Sequence, residues 1–290
     1  MTDDEIVREA ESAACDLVPA RCAAVRAACA LITEPRLGYQ NAETRDAYVE
    51  ALYLAGVVPQ LADGTYDISD AMLTQAYQAA SFQSSCGITT ERIWRDIGVD
   101  DPRLFMWYPD RASRGGSYYA VALEMEIAKQ AGAWVSGIPW EPGTPLPEPG
   151  DALIIGLMSD PSFTRGGGFA GEHELTIIAR DGMLIHSVDG GQPHIDVRTR
   201  MLVEVGRELW CGQVDRATGE CPLGADGRPL QGRRVVGFTD ITRLPLSAEP
   251  SCCSSGASRI VRTTAGKVAL AAATAAAVLA ALYFWKGRKR

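Results

Sequence analysis

The chain has 290 residues, of which 47% are hydrophobic and 22% are charged. Disordered chains contain fewer apolar residues, so this composition predicts a folded protein with a sizeable core. The net charge is −8, and residues 1–258 are more acidic than the whole chain because the C-terminal end is basic. An acidic body repels phosphate groups, so we expect no nucleic-acid partner.

The N-terminal part is rich in alanine and has a helical pattern. The pattern of residues 4–33 predicts two short helices with a break between them near Pro19, because proline cannot continue a helix through its interior. Further helices are expected at 43–56 and 69–80. We assign residues 1–68 to an N-terminal helical region.

The eight cysteines include no spacing typical of a zinc site, so we predict neither a metal ion nor a cofactor. Cys211 and Cys221 flank a turn-rich stretch, and in an oxidising compartment the two could form a disulfide across it. Free thiols are the simpler interpretation of both residues. Cys15, Cys22 and Cys29 are interpreted as small residues that face a core.

Cys86 lies where a helix can activate a nucleophile. Ser85 can cap a helix that ends near Gly98, which places Cys86 in the first turn. Unpaired backbone N–H groups and the positive end of the helix dipole stabilise a thiolate there, and the same groups can face an oxyanion. The alternative interpretation is a small buried residue that happens to begin a helix.

The second half of the chain is predicted to be mostly antiparallel sheet. The strongest local signal is a hairpin, in which two apolar strands at 173–180 and 183–188 flank the turn formed by Asp181 and Gly182. The remaining expected elements are a helix at 117–131 with Glu124 away from its apolar side, a loop at 137–150, a buried strand at 151–156, and strands at 195–198, 202–205 and 234–238.

A cysteine nucleophile needs a base to take its proton and a third polar group to hold the base. His173, at the start of a strand, fits the base. Asp189 and His186 both lie on the partner strand of the hairpin, and either could face His173. Side chains alternate along a strand, so both are not expected to serve together unless the strand bulges.

The order of these motifs resembles the NlpC/P60 and CHAP group of papain-like cysteine peptidases and amidases. The parallels are Ser-Cys-Gly-Ile at 85–88, Pro-Gly-Asp at 149–151 and a histidine-led apolar strand from His173, within residues 75–245. The resemblance implies an α+β papain-like fold, with the nucleophile's helix packed on an antiparallel sheet. It also implies hydrolysis of amide bonds in peptidoglycan. Glu174 departs from the pattern, in which a small apolar residue follows the histidine.

The C-terminal end predicts a membrane anchor. Residues 268–285 contain no charged side chain, and as a helix they would span roughly 27 Å, just enough to cross a bilayer core. We therefore divide the rest of the chain into a hydrolase domain at 69–246, a linker at 247–266 and a transmembrane helix with a basic tail at 267–290. Basic residues flank both ends of the helix, so the side of the membrane that holds the body stays open.

The sequence therefore predicts a membrane-anchored, thiol-dependent peptidase or amidase that acts on peptidoglycan peptides or another peptide substrate. Its candidate catalytic residues are Cys86, His173 and either Asp189 or His186. The alternative is a catalytically silent, membrane-anchored envelope or virion protein that uses the same fold for binding. The absence of a secretory signal pattern at the N-terminus favours that alternative, because a wall hydrolase must reach the wall.

Overall fold

In a computed structural model of the chain, helices flank an antiparallel barrel. The structure describes residues 1–33, 85–105, 120–156, 164–165, 168–169, 173–190, 195–248 and 250. The predicted helices at 43–56 and 69–80, the boundary at residue 68 and the predicted membrane segment at 268–285 lie outside these residues. Within them, every helix is too short or too polar to cross a bilayer.

Two helices begin the chain, as the sequence predicts. Helix α1 spans Asp3–Ala13 and is closed at its start by a capping box between Thr2 and Glu5. A 3-10 turn at Ala14–Asp16 follows, and helix α2 spans Pro19–Thr33. Proline at the first position of α2 loses no hydrogen bond, because the N–H groups of a first turn have no partner within the helix.

Two further helices cover the sheet. Helix α3 spans Ser85–Asp96 and helix α4 spans Ala120–Gln130, both close to the predicted ranges. Gly98 follows α3 with a φ of +83°, a left-handed conformation that glycine adopts without steric cost. Short 3-10 helices occur at Pro102–Phe105 and Ile241–Arg243.

Nine strands are present in the described part of the chain, and the predicted hairpin is confirmed. The predicted strands at 195–198 and 202–205 are one continuous strand. In chain order the strands are β1 Trp134–Ser136, β2 Ala152–Gly156, β3 Thr164–Arg165, β4 Gly168–Phe169, β5 His173–Asp181, β6 Leu184–Gly190, β7 Ile195–Val205, β8 Glu208–Gln213 and β9 Gly232–Thr239.

The strands do not form the predicted papain-like arrangement of a helix on a sheet. They run antiparallel in the order β2-β5-β6-β7-β8-β9, and β9 pairs with both β2 and β8, which closes a six-stranded barrel. Strand β1 pairs antiparallel with residues 237–239 at the end of β9, and β3 pairs with β4 as a separate two-stranded sheet. The predicted fold class is therefore wrong: the described residues build a closed barrel with few helices and no membrane-spanning helix. Hydrophobic periodicity identifies strands but not the long-range pairing that closes them into a barrel.

Two apolar cores lie among the residues that the structure describes around the barrel. The first contains residues from all six barrel strands, including Leu153, Leu175, Leu202 and Phe238. The second lies between the helices and the other face of β2 and β9, and it contains Cys86, Val121, Ile154 and Val236. Burying one large aliphatic side chain stabilises a fold by about 1.5–3 kcal/mol. The second core therefore fixes Cys86 and its helix against the barrel.

Helix α2 is attached to the barrel through a buried ion pair. Arg21 donates to Asp151 Oδ1 at 2.7 Å and to Asp240 Oδ1 at 3.0 Å, and the Asp151 side chain is fully buried. Asp151 also accepts from the backbone N–H groups of Glu148 and Ile241. The aspartate of the Pro-Gly-Asp motif therefore joins the N-terminal helices to the entry of β2.

Candidate active site

His173 and Asp189 meet across the β5–β6 hairpin at one end of the barrel. Leu175 lies opposite Asp189, and His173 is two residues before Leu175, so the alternation of strand side chains places both on one face. His173 Nε2 lies 2.7 Å from Asp189 Oδ2. The pairing is therefore set by the register of the two strands.

Asp189 is held by two other barrel residues. Ser187 donates its hydroxyl to Asp189 Oδ1 at 2.6 Å, and the Arg200 guanidinium on β7 donates to Oδ2. Burial favours the protonated carboxyl, but Arg200, His173 and Ser187 together outweigh it and hold the pKa of Asp189 below its usual range. Asp189 is therefore a buried carboxylate with a fixed orientation.

Cys86 is the second residue of α3, and its side chain is completely buried. Helix α3 packs against β5 and β6, and this packing brings the Cys86 thiol within hydrogen-bonding reach of the His173 ring. Because Nε2 faces Asp189, Nδ1 is the ring nitrogen available to the thiol. The structure thus places Cys86, His173 and Asp189 in one connected line.

The charge on the His173 ring follows from these neighbours. Burial alone would lower the pKa of His173, but the hydrogen bonds to Asp189 and Cys86 and their negative charges raise it to about 9. The ring is therefore an imidazolium at neutral pH. This charge is suited to a neighbouring thiolate, which would carry the opposite sign.

Position 87, directly after Cys86, has no room for a side chain. A Cβ at this position would lie 2.6 Å from the Ala120 Cβ and 3.0 Å from the Val121 backbone nitrogen, at the start of α4. Glycine therefore lets the first turns of α3 and α4 approach each other closely. The two helices can then share the core that surrounds Cys86.

His186, the alternative third residue, points away from His173. Its Nδ1 lies 3.0 Å from Thr199 Oγ1, and Thr199 is its partner residue on β7. A bulge does occur in the β5–β6 pair, but it lies between Ile177 and Ala179 and does not bring both candidates to one face. The structure therefore brings Asp189, and not His186, to the base.

Three buried glutamates lie on the other face of β5, where the helices cover it. Glu174 is opposite Ile154, which shares a core cluster with Cys86, and it is fully buried with Glu91 on α3 and Glu124 on α4. The prediction that Glu124 lies away from the apolar side of its helix is wrong. The carboxyl groups of Glu124 and Glu174 interact with each other, and none of their four oxygens has any other hydrogen-bond partner among the described residues.

Burial perturbs both of these carboxyl groups strongly. It raises the pKa of Glu174 to about 8, with the charges of Cys86 and Glu91 acting in the same direction and Glu124 and His173 opposing it. It also raises the pKa of Glu124 well above its usual value, and the neighbouring Glu174 adds to that rise. Both groups therefore carry a proton at neutral pH, because burial in an apolar environment disfavours the charged form of each.

The chain matches no known family model, no curated protein and no solved structure. No three metal-ligating side chains converge within the ranges that the structure describes. In the described site the Cys86 thiol contacts the His173 imidazole, and the imidazole contacts the Asp189 carboxylate. The Arg200 guanidinium contacts the same carboxylate.

Sequence reasoning missed several of the residues that shape this site. Arg200 lies on β7, whose pairing with β6 was not predicted. Ser187 lies on the predicted hairpin strand, but a serine within a strand gives no local signal that it will bind Asp189. Glu174 did give a signal, because a charged residue within an apolar strand departs from the family pattern. Glu124 gave none, since a glutamate on an amphipathic helix ordinarily faces solvent.

Proposed function

We propose that this protein is a thiol-dependent amide hydrolase, a peptidase or amidase with Cys86 as nucleophile. The observation behind the proposal is the Cys86–His173–Asp189 line, in which each side chain reaches the next. A nucleophile, a base that contacts it and a group that orients the base are the arrangement required for acyl transfer. The buried Arg200 keeps Asp189 ionised and in position.

In this mechanism His173 holds the proton of Cys86, and the thiolate attacks the carbonyl carbon of the substrate amide. The tetrahedral intermediate collapses to a thioester as the His173 proton passes to the leaving amine. Water then attacks the thioester while His173 accepts a proton from it, and the acid product leaves with Cys86 restored. Backbone N–H groups in the first turn of α3 are suited to the oxyanion, because they have no acceptor within the helix.

The proposed substrate class is peptidoglycan peptides. It rests on the sequence motifs around Cys86, Asp151 and His173, which are similar to those of the NlpC/P60 and CHAP group. Anchoring to a membrane through residues 268–285 belongs to the same proposal. An anchored hydrolase would act on wall peptides close to the bilayer.

Incubation of the full chain with purified peptidoglycan tests the proposal, with released fragments identified by mass spectrometry. We expect the wild type to release peptide fragments and Cys86→Ser to release none. Cys15→Ser is the matched control, because Cys15 is an exposed free thiol. If Cys86→Ser releases fragments as fast as the wild type, Cys86 is not the nucleophile.

Thiol labelling separates the hydrolase from the silent binding protein. Burial raises the pKa of the Cys29 and Cys211 thiols to about 12, so both should react slowly with iodoacetamide near neutral pH. Cys86 is as deeply buried as both, but the His173 imidazolium beside it favours its thiolate. We therefore expect Cys86 to react faster than either, and His173→Ala to slow its reaction. Labelling of Cys86 as slow as that of Cys29 and Cys211 would favour the envelope or virion protein that only binds.

A further inference from the structure

The buried carboxyl pair of Glu124 and Glu174 lies against the nucleophile and needs an explanation. Burying two carboxyl groups in an apolar interior costs free energy. A glutamine or an aliphatic residue at either position would avoid that cost. The proposed reaction does not use these side chains directly, because the strand turns Glu174 to the face opposite His173.

The position of the pair gives it influence over Cys86. Cys86, Ile154 and Val121 belong to one buried cluster, Glu174 is the cross-strand partner of Ile154, and Glu124 follows Val121 by one helical turn. Cys86 contributes to the electrostatic environment of both carboxyl groups, whereas His173 contributes to that of Glu174. A negative charge on the pair therefore opposes a thiolate at Cys86.

Several other charged groups lie on the elements that pack around the carboxyl pair. Helix α3 contributes Glu91, which acts on both members of the pair, and Arg95, which lies one turn further along the same side. On α2, Arg21 is bound by two aspartates. Strand β6 contributes Asp189, which is neutralised by Arg200.

We propose that Glu124 and Glu174 hold a proton beside the nucleophile, and that loss of this proton converts Cys86 and His173 from a thiolate–imidazolium pair into a neutral thiol and imidazole. The proton lost from the carboxyl pair goes to solvent. The proton on His173 then moves to the Cys86 sulfur, because the negative charge opposes the thiolate more strongly than it favours the imidazolium. Cys86 acts on both carboxyl groups, whereas His173 acts on Glu174 and does so less strongly than Cys86. The two glutamates are positioning residues, and they set an upper pH limit for the thiolate form of Cys86.

The inference rests on the proposed role of Cys86, but its test does not require hydrolysis. The rate of Cys86 alkylation by iodoacetamide is measured by mass spectrometry on the full chain from pH 6 to pH 9. The variant Glu124→Gln/Glu174→Gln keeps the shape of both side chains and cannot ionise there. Glu126→Gln is the matched control, since Glu126 lies on the same helix but pairs with Arg103 near the surface.

We expect the double variant and the wild type to react at similar rates at pH 6.5, where the pair is protonated. At pH 9 the double variant should react about three- to tenfold faster, because one pKa unit corresponds to a tenfold change in the thiolate population. Glu126→Gln should match the wild type throughout. A second variant, Glu124→Met/Glu174→Met, replaces the pair with apolar side chains and should give the same pH dependence.

A rate ratio that stays constant from pH 6.5 to pH 9 in either folded double variant would overturn the inference, because a purely structural effect does not vary with pH. Circular dichroism at each pH establishes that the variant is folded. Loss of peptidoglycan hydrolysis together with the expected alkylation profile would reject the proposed substrate and leave the carboxyl pair intact. Normal peptidoglycan hydrolysis together with a rate ratio that does not change with pH would support the proposed substrate and reject the role of the carboxyl pair.

Discussion

Replacing Glu174 with glutamine should change how the stability of the fold depends on pH. In the unfolded chain a glutamate has a pKa near 4.5, and in the fold burial raises the pKa of Glu174 to about 8. Between these values the folded state holds a proton that the unfolded state has lost. The free energy of unfolding therefore falls as pH rises through this range, by about 1.4 kcal/mol per pH unit for one proton.

The variant Glu174→Gln has no proton to hold at this position, so its decline should be smaller. From pH 5.5 to pH 7.5 we expect the wild type to lose about 2–3 kcal/mol more unfolding free energy than the variant. His173 adds a decline of the same sign above its unfolded pKa of 6.5, but it is present in both proteins and cancels. Urea unfolding of both proteins at the two pH values measures the difference. Equal losses of stability would show that Glu174 is ionised in the fold, which contradicts the burial argument.

Three further substitutions test the residues that adjoin Cys86 and His173. Asp189→Asn removes the carboxylate that raises the pKa of His173, so the histidine should titrate well below pH 9 by NMR; an unchanged titration would mean that Asp189 does not set it. Arg200→Met leaves the carboxylate buried without its cation and should cost about 3–5 kcal/mol in denaturant unfolding, whereas a neutral effect would place Asp189 in contact with water. His186→Ala should retain hydrolysis within about twofold, since its ring bonds elsewhere, and a loss of about a hundredfold or more would assign it a direct role.

Local sequence determined the described α-helices, five of the nine described strands and the candidates for the chemistry. Strands β1, β3, β4 and β8 were not predicted. Pro19 separated the first two helices, and the turn at Asp181 and Gly182 defined the hairpin, because each acts on the backbone of its own neighbourhood. Cys86 at a helix start and His173 at a strand start were visible for the same reason. Their recognition required no knowledge of which distant segments pair.

Only the tertiary structure decided how these elements close and which groups face one another. The pairing of β8 with β9 turned the predicted sheet into a barrel, and it joins segments whose contact no local pattern encodes. Strand register then selected Asp189 over His186, because neighbouring residues on a strand point to opposite faces. The burial of Glu124 was hidden for a related reason: a helix exposes or buries a glutamate according to what packs against it. Side-chain chemistry is written along the chain, whereas the environment that sets its charge arises from contacts between distant segments.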